Sequence, residues 1–399
     1  MPDDMDFIPV PAELDHRIDN ALHQLKREKH SHFLRKTSIA FASAAAAAAA
    51  FFTVCAANPA WAATLPVIGS LFRSTQTEVS YKGDYAKNAY AAGNPDVSAG
   101  TSAQMSSDAA GETLTVTSSA EVEVVSDKEN DASAKALPDD EITMEIPEVT
   151  CTSKALYLAV TLTSRNGFPE GFRQTENEPA YSLGYDCLSL LSEGEISGGN
   201  TSTVTLHTDQ LQGHYADASH FKGIIRCDLS TMTVPADSFT AKLKITKLYG
   251  DLPDEMAYQN YTGTWDFTIP VRVDPSREQT VAVNDKNADG YGIAAVTETP
   301  YEVTADMMLP DAKQKTDVFL VICDASGDLL EYQGENTDTY STYGRDTSRV
   351  FIFICDADDY LNNLKGYYYS EEYAQKKATM NFAQYLKQHA LYSTEVSFD

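Results

Sequence analysis

The chain has 399 residues, with 30 basic and 58 acidic side chains that give a net charge of −28. This length is enough for two ordinary domains beside other segments. So negative a field repels phosphate backbones and anionic lipid, which argues against a nucleic-acid-binding protein or a basic membrane-surface protein. The charge is unevenly distributed, because residues 1–36 hold six cations and seven acids and the remainder carries a net charge of −27.

Residues 9–30 have the pattern of an amphipathic helix. Within them, one apolar stripe recurs at helical spacing and consists of Leu14, Ile18, Leu22 and Leu25. A single helix of this length is marginally stable in water, so its stripe needs a partner surface. The bilayer is one such surface, favoured by the basic end of the helix. A groove on a cytosolic protein is the other, and the acidic first half of the helix favours it.

An apolar segment without charge follows this helix. No charged residue lies between Lys36 and Arg73, and residues 37–57 would span roughly 31 Å as a helix, about one hydrocarbon thickness. The basic residues before this run predict a single-pass protein of the cell membrane with a cytoplasmic N-terminus and an extracellular body. Cleavage after Ala62 is the alternative, because a small-x-small motif ends there. The long segment before the run favours a retained anchor.

Residues 58–140 are expected to form a juxtamembrane segment and a linker. Residues 74–140 are rich in small, polar and acidic side chains, which is typical of linkers. An apolar group is expected at the level of the lipid headgroups, namely Trp61, Leu65, Val67, Ile68, Leu71 and Phe72. Residues 112–127 alternate between apolar and polar side chains like a strand, so the folded body can begin there.

The rest of the chain has the pattern of β-strands. Short apolar runs bounded by Gly, Pro, Asn and Asp predict a first β-sandwich-like domain over residues 141–274. A second β-rich domain, also sandwich-like, is predicted over residues 275–399, with one helix over residues 370–390 and a final strand. The predicted fold class is therefore mainly β, with a cytoplasmic helix over 1–36 and one transmembrane helix ahead of two extracytoplasmic domains.

One segment matches the first half of a calcium-binding loop. Asp285, Asn287 and Asp289 have the required spacing, but Val296 stands where the loop needs a bidentate glutamate. A hairpin turn is therefore predicted instead of a calcium site.

Four possible zinc ligands lie close together in the sequence, namely His207, His214, His220 and Cys227. Their spacing fits no compact zinc pattern, so we expect them on loops and strand surfaces. No nucleophile elbow, phosphate loop or metalloprotease helix occurs in the sequence. We therefore expect neither an enzyme nor a bound cofactor or metal.

Five cysteines follow the apolar run, so at least one of them is free or pairs with another chain. Cys323 and Cys355 each end an apolar run. The sequence leaves open whether they form a disulfide or are two small buried apolar side chains, because it does not show how closely their Cα atoms approach.

Residues 9–27 and 58–73, which flank the basic residues and the apolar run, resemble an N-terminal domain of unknown function from Gram-positive bacteria. The outer β body, over roughly residues 140–310, also resembles that of the same uncharacterised membrane-anchored family, especially at residues 263–284 and 291–303. Its members are often described as extracytoplasmic-function anti-sigma factors or their relatives. The present chain lacks the His-x3-Cys-x2-Cys signature of zinc-binding anti-sigma domains, so the implied role rests on the amphipathic helix.

This resemblance implies a single-pass membrane regulator in signal transduction. The outer β domains would sense an extracellular condition, and the cytoplasmic helix would sequester a sigma factor by burying Leu14, Ile18, Leu22 and Leu25 in an apolar groove. The alternative is a membrane-anchored or secreted surface protein whose β domains serve binding or adhesion.

Overall fold

The computed structural model describes residues 68–98, 115–128, 131–136, 140–168, 186–198, 201–230, 237–252, 257–333 and 338–398. The predicted partner-binding residues and the predicted span over 37–57 lie outside these ranges. None of the helices within them is long and apolar enough to cross a bilayer. Strands dominate the described residues, so the prediction of a mainly β fold is confirmed.

Within the described residues, eleven antiparallel strands form the larger sheet. They are β1 (Tyr90–Ala91), β2 (Asn94–Ser98), β3 (Val116–Lys128), β4 (Asp131–Ala136), β5 (Asp140–Cys151), β6 (Ala155–Ser164), β7 (Asp186–Gly198), β8 (Thr201–Tyr215), β9 (His220–Asp228), β10 (Ser238–Leu252) and β11 (Ala257–Arg272). Eight of them follow the order β5-β6-β9-β8-β7-β10-β11-β3, and β3 then pairs back onto β5, where Ala120 lies opposite Ile142.

This last pairing closes the eight strands into a barrel, so the predicted sandwich for the first β region is wrong. The physical reason is that inward and outward side chains alternate along a strand in the same way in both architectures. The two architectures differ in whether the first and last strands of this order, β5 and β3, pair with each other. The barrel also begins before the predicted boundary at residue 141, because β3 supplies the closing strand.

The barrel interior is filled by apolar side chains. Trp265 is fully buried there, and its indole N–H donates to the carbonyl oxygen of Ile142 at 2.8 Å. Leu158 and Ile225, from the neighbouring strands β6 and β9, belong to the same core. At Gly263 a Cβ atom would come within 2.8 Å of a methyl carbon of Val122, so this close approach of backbone to side chain requires glycine.

Two smaller antiparallel sheets follow the barrel. One contains β12 (Gln279–Lys286), β13 (Gly292–Glu298), β14 (Glu302–Met308) and β16 (Thr339–Ser341), and the other contains β15 (Val318–Cys323), β17 (Arg349–Asp356) and β18 (Tyr392–Ser397). The two sheets share one core, to which Ile293 and Val303 contribute from the first and Leu320 and Ile352 from the second.

The predicted hairpin turn is confirmed, since it joins β12 to β13. The side-chain oxygen of Asn287 accepts hydrogen bonds from the backbone N–H groups of Asp289 and Tyr291, each at 3.1 Å. The Asn287 side-chain oxygen, which a calcium ion would need as a ligand, therefore stabilises the turn through these hydrogen bonds.

Short helices cover the other face of the three-stranded sheet. They are α2 (Ala357–Asp359), a π-helical turn (Tyr360–Leu364), α3 (Lys365–Tyr368), α4 (Glu371–Lys376) and α5 (Phe382–Leu386). The single helix predicted over residues 370–390 is therefore wrong. Asn381 starts a new helix there, because its side chain accepts from the Gln384 N–H at 2.9 Å and the Gln384 side chain accepts from the Asn381 N–H in return.

Cys323 and Cys355 are both free and buried, so the structure contains no disulfide between them. They lie on paired strands but at opposite ends, because Cys323 pairs with Phe351 and Cys355 with Phe319. Burial raises the pKa of both thiols, that of Cys355 to about 12, and both behave as small apolar side chains.

Part of the region predicted as a linker is folded. Helix α1 (Ser70–Thr75) and a 3-10 turn (Tyr85–Lys87) precede β1. Leu71 and Phe72 are buried within the protein, so their expected position among lipid headgroups is wrong. Their environment is a separate apolar cluster against β6 and β9.

Candidate functional site

The described residue nearest to the predicted span is Ile68, and the chain from there is held on the outside of the barrel. Tyr157 and Ala159 on β6 and Ile224 on β9 form the surface on which Leu71 and Phe72 pack. Leu156 and Leu158, between these positions on β6, face the barrel interior instead. Both faces of β6 are thus buried because α1 covers its outer face.

Glu148 fixes the start of α1. Its carboxylate accepts hydrogen bonds from the backbone N–H groups of Leu71 at 3.1 Å and Phe72 at 2.9 Å. The hydroxyl of Ser70 donates to the same carboxylate at 3.4 Å. These bonds satisfy donors that the first turn of a helix cannot pair internally.

The pKa of Glu148 is nevertheless raised, because burial penalises the charged carboxylate more than these hydrogen bonds favour it. Gly69, which precedes the helix, has φ +89, and a Cβ atom there would lie 2.6 Å from the carbonyl oxygen of Ala86. Glycine is therefore required for the chain to enter α1 at this angle.

Three tyrosine rings meet beside α1. The ring centroid of Tyr85 lies 4.5 Å from that of Tyr157 and 4.6 Å from that of Tyr301, and the last two are 5.4 Å apart. The Tyr301 hydroxyl is 2.9 Å from the hydroxyl of Thr150 and accepts from the Asn88 amide at 3.0 Å. Burial raises the pKa of all three phenols, that of Tyr301 to about 12, so they remain neutral hydrogen-bonding groups.

A buried ion pair completes the cluster. The guanidinium of Arg226 on β9 lies 3.1 Å from the carboxylate of Glu302 on β14, and their side chains are 1% and 0% exposed. Tyr157 donates to the same carboxylate at 2.7 Å. We call this group of five residues the junction cluster, because they come from the segment after α1, from the barrel and from the four-stranded sheet. The residues are Tyr85, Tyr157, Arg226, Tyr301 and Glu302.

The junction cluster has the chemistry of a structural contact that holds parts of the chain in fixed positions. Removing two charges from water is costly, and the cost is offset only when geometry and hydrogen bonding are good. Arg226 reaches the Glu302 carboxylate through both Nε, at 3.3 Å, and Nη2. Neither side chain is accessible to a substrate, so the cluster positions three parts of the chain and offers no reactive group.

A cavity of about 500 Å³ opens next to the junction cluster and shares Tyr301 with it. Asp84 and Lys87 line one side of this cavity, Arg277 lines another, and Tyr343 lies on the loop after β16. It is thus bordered by the segment after α1 and by loops of the four-stranded sheet.

Three of the four candidate zinc ligands have described side chains, and these lie in different environments. His214 lies against Glu78, the ring of His220 contacts Asp217 at 2.8 Å, and Cys227 is buried in the barrel core. Among the described residues, no group of three or more metal-binding side chains comes together.

No family model and no curated protein sequence matches the chain. Among solved structures, the chain is similar to the crystal structure of a conserved domain protein from Bacillus anthracis, with 12% sequence identity and a TM-score of 0.32. The match covers 59% of this chain and 77% of the other. A likeness at this level carries no argument about function.

Sequence reasoning missed the residues of the junction cluster, although two signals were present. Residues 155–160 form an uninterrupted apolar run, which is typical of a strand that is buried on both faces. Arg226 also interrupts an apolar run on β9, where a lone charge requires a buried partner. Neither signal identifies Glu302 as that partner.

Proposed function

We propose that the protein is a single-pass membrane regulator that resembles an anti-sigma factor. The body over residues 66–399 would lie outside the cell, residues 37–57 would cross the membrane, and residues 1–36 would lie in the cytoplasm. The β body would sense an extracellular condition, and the amphipathic helix would sequester an extracytoplasmic-function sigma factor.

The observation that supports this proposal most directly is the way in which α1 is held. This helix begins shortly after the predicted span, and the Glu148 carboxylate, from a barrel strand, caps its first turn. A change in the body that releases Glu148 would free the chain that leads to the membrane. A surface module that merely needs an anchor has no use for a barrel carboxylate that caps α1, since a polar linker would serve it equally well.

The proposed role of the cytoplasmic helix rests on its apolar stripe. Ile18 and Leu22 are four residues apart, so they project from one face of a helix about one turn apart. Burying each of them in a partner groove contributes about 1.5–3 kcal/mol. A sigma factor encoded beside this gene is the partner to test.

The test replaces Ile18 and Leu22 together by Asp. Charge is then forced against an apolar groove, so sigma binding should be lost and transcription from the cognate promoter should become constitutive. Membrane insertion of the variant, measured by fractionation, should not change.

The matched control replaces Glu13 and Asp19, which lie off the stripe, by Ala. This variant should keep promoter activity close to that of the wild type. If the Ile18/Leu22 variant also leaves promoter activity at the wild-type level, the stripe holds no sigma factor.

The second candidate is a surface protein for binding or adhesion, and exposed side chains on the C-terminal helices favour it. Tyr369, directly after α3, is 70% exposed, and Leu361, in the π-helical turn, is 52% exposed. Exposed aromatic and aliphatic side chains are common at interfaces. Loss of cell-surface attachment in a Leu361→Ser/Tyr369→Ser variant, with promoter activity unchanged, would favour this candidate.

A further inference from the structure

The cavity beside the junction cluster has the size of a small-molecule site. Its volume of about 500 Å³ lies within the range of about 300–1,000 Å³ that is typical of ligand pockets. Its walls come from segments that are distant in sequence, since Asn88 follows the 3-10 turn, Arg277 precedes β12 and Tyr343 follows β16. A ligand in this cavity therefore touches the segment after α1 and the four-stranded sheet at once.

The charges that line the cavity leave one cation available. Lys87 is already paired with Asp84 at 2.5 Å. Arg277 is exposed, and no ion pair to its guanidinium occurs in the part of the chain that the structure describes. The planar guanidinium fork matches a carboxylate in a bidentate manner.

The same lining limits the ligand to a single negative charge and gives it an apolar part. With Lys87 and Asp84 paired, a second ligand charge would find no cation in the lining other than Arg277, which disfavours phosphate dianions. Pro300 and the ring of Tyr343, which is 39% exposed, provide apolar surface at the cavity wall. These features fit a small monocarboxylate with an apolar body.

A second cavity of similar volume lies between β17, β18 and α5, and its lining contains two cations, Arg349 and Lys387. Its arginine, Arg349, is 3.4 Å from the carboxylate of Glu395 and lies over the ring of Phe351 at 5.2 Å. A ligand carboxylate would have to displace Glu395 in order to pair with Arg349. This difference makes Arg349 a matched control for Arg277.

We propose that the cavity beside the junction cluster binds a small monocarboxylate with an apolar body, held by Arg277 and seated against Tyr343 and Pro300. Because such a ligand bridges the segment after α1 and the four-stranded sheet, its binding stabilises the contact between them by mass action. The use of this binding as a signal rests on the proposed function, whereas the binding itself does not.

Benzoate is the probe, with benzamide as its neutral counterpart of the same shape and inorganic phosphate as the dianionic alternative. Binding to the full chain in non-ionic detergent is measured by isothermal titration calorimetry. Benzoate should bind saturably in the millimolar range, and Arg277→Gln should weaken it about tenfold or more, because a charge-assisted pair is lost. Arg349→Gln should leave its affinity unchanged, and benzamide and phosphate should bind more weakly than benzoate.

Four results would overturn the proposal: no saturable benzoate binding, equal binding of benzamide, stronger binding of phosphate, or loss of binding in Arg349→Gln instead of Arg277→Gln. Both arginines are exposed, and an unchanged melting temperature of each variant establishes that it is folded. Promoter activity is not part of this measurement. A failure of benzoate binding is therefore distinct from a failure of the Ile18/Leu22 experiment, which tests the proposed function.

Discussion

The barrel interior and the junction cluster are buried equally well but are built from different chemistry. Trp265, Leu158 and Ile225 fill the barrel with apolar contacts that depend mainly on volume. At the junction, by contrast, Arg226 and Glu302 depend on hydrogen bonds of fixed direction. An apolar core tolerates substitutions of similar volume, whereas a buried ion pair tolerates the loss of neither partner. The junction is therefore the part of the body where a small change has the largest structural consequence.

The largest effect is expected for Arg226→Met. It leaves the Glu302 carboxylate buried without its partner, so the free energy of unfolding should fall by about 3–5 kcal/mol in denaturant titration. The double variant Arg226→Met/Glu302→Leu should recover most of this loss, because the fully buried charge is removed and only the partly exposed Asp228 loses a partner. The barrel control Ile225→Leu should cost less than about 1.5 kcal/mol. An equal loss in the double and single variants would mean that packing, and not charge pairing, holds the junction.

A smaller effect is expected for Glu148→Gln. The amide keeps one acceptor oxygen and places an NH2 group against the other helix N–H, so the loss should be about 1–3 kcal/mol. Faster amide hydrogen exchange should be confined to α1 and its neighbourhood, while the barrel strand β11 stays protected. Uniform acceleration across β11 as well would contradict the idea that Glu148 acts on α1 alone.

The pH dependence of Glu148 provides a third test. Burial raises its folded pKa above the ordinary range of a glutamate, so the folded state retains the proton to higher pH than the unfolded state. This group therefore favours folding at low pH, and its contribution decreases as the pH rises through the unfolded and then the folded pKa. The free energy of unfolding of the wild type, minus that of Glu148→Gln, should decrease over this window. A difference that increases with pH would mean that the hydrogen bonds to α1 outweigh burial.

The smallest effect is expected for Tyr301→Phe. Loss of the hydroxyl leaves Thr150 and Asn88 without this partner while the three rings stay packed, so the cost should be about 1 kcal/mol. The control Tyr369→Phe, at an exposed ring, should change the melting temperature by less than the error of the measurement. An equal effect at both positions would mean that the Tyr301 hydroxyl contributes nothing to the junction.

Individual strands could be predicted from the sequence because their signal is local. The run over residues 263–273 alternates between apolar and polar side chains, and β11 ends within it at Arg272. The hairpin after β12 was likewise readable from Asp, Asn and Gly. The break between α4 and α5 was readable too, since Asn381 and Gln384 form a capping box, but the apolar spacing across residues 370–390 suggested one helix.

The sequence by itself determined the mainly β character, the turn at Asn287 and the apolar run on β6, since each depends on residues that are neighbours along the chain. Only the tertiary structure decided that β3 closes the barrel on β5 and that α1 is buried on its outer wall. It also brought Arg226 to Glu302 across 76 residues of sequence. Nothing in either local pattern encodes that partner, because a buried charge requires a counter-charge but its position in the chain is set by how the sheets pack.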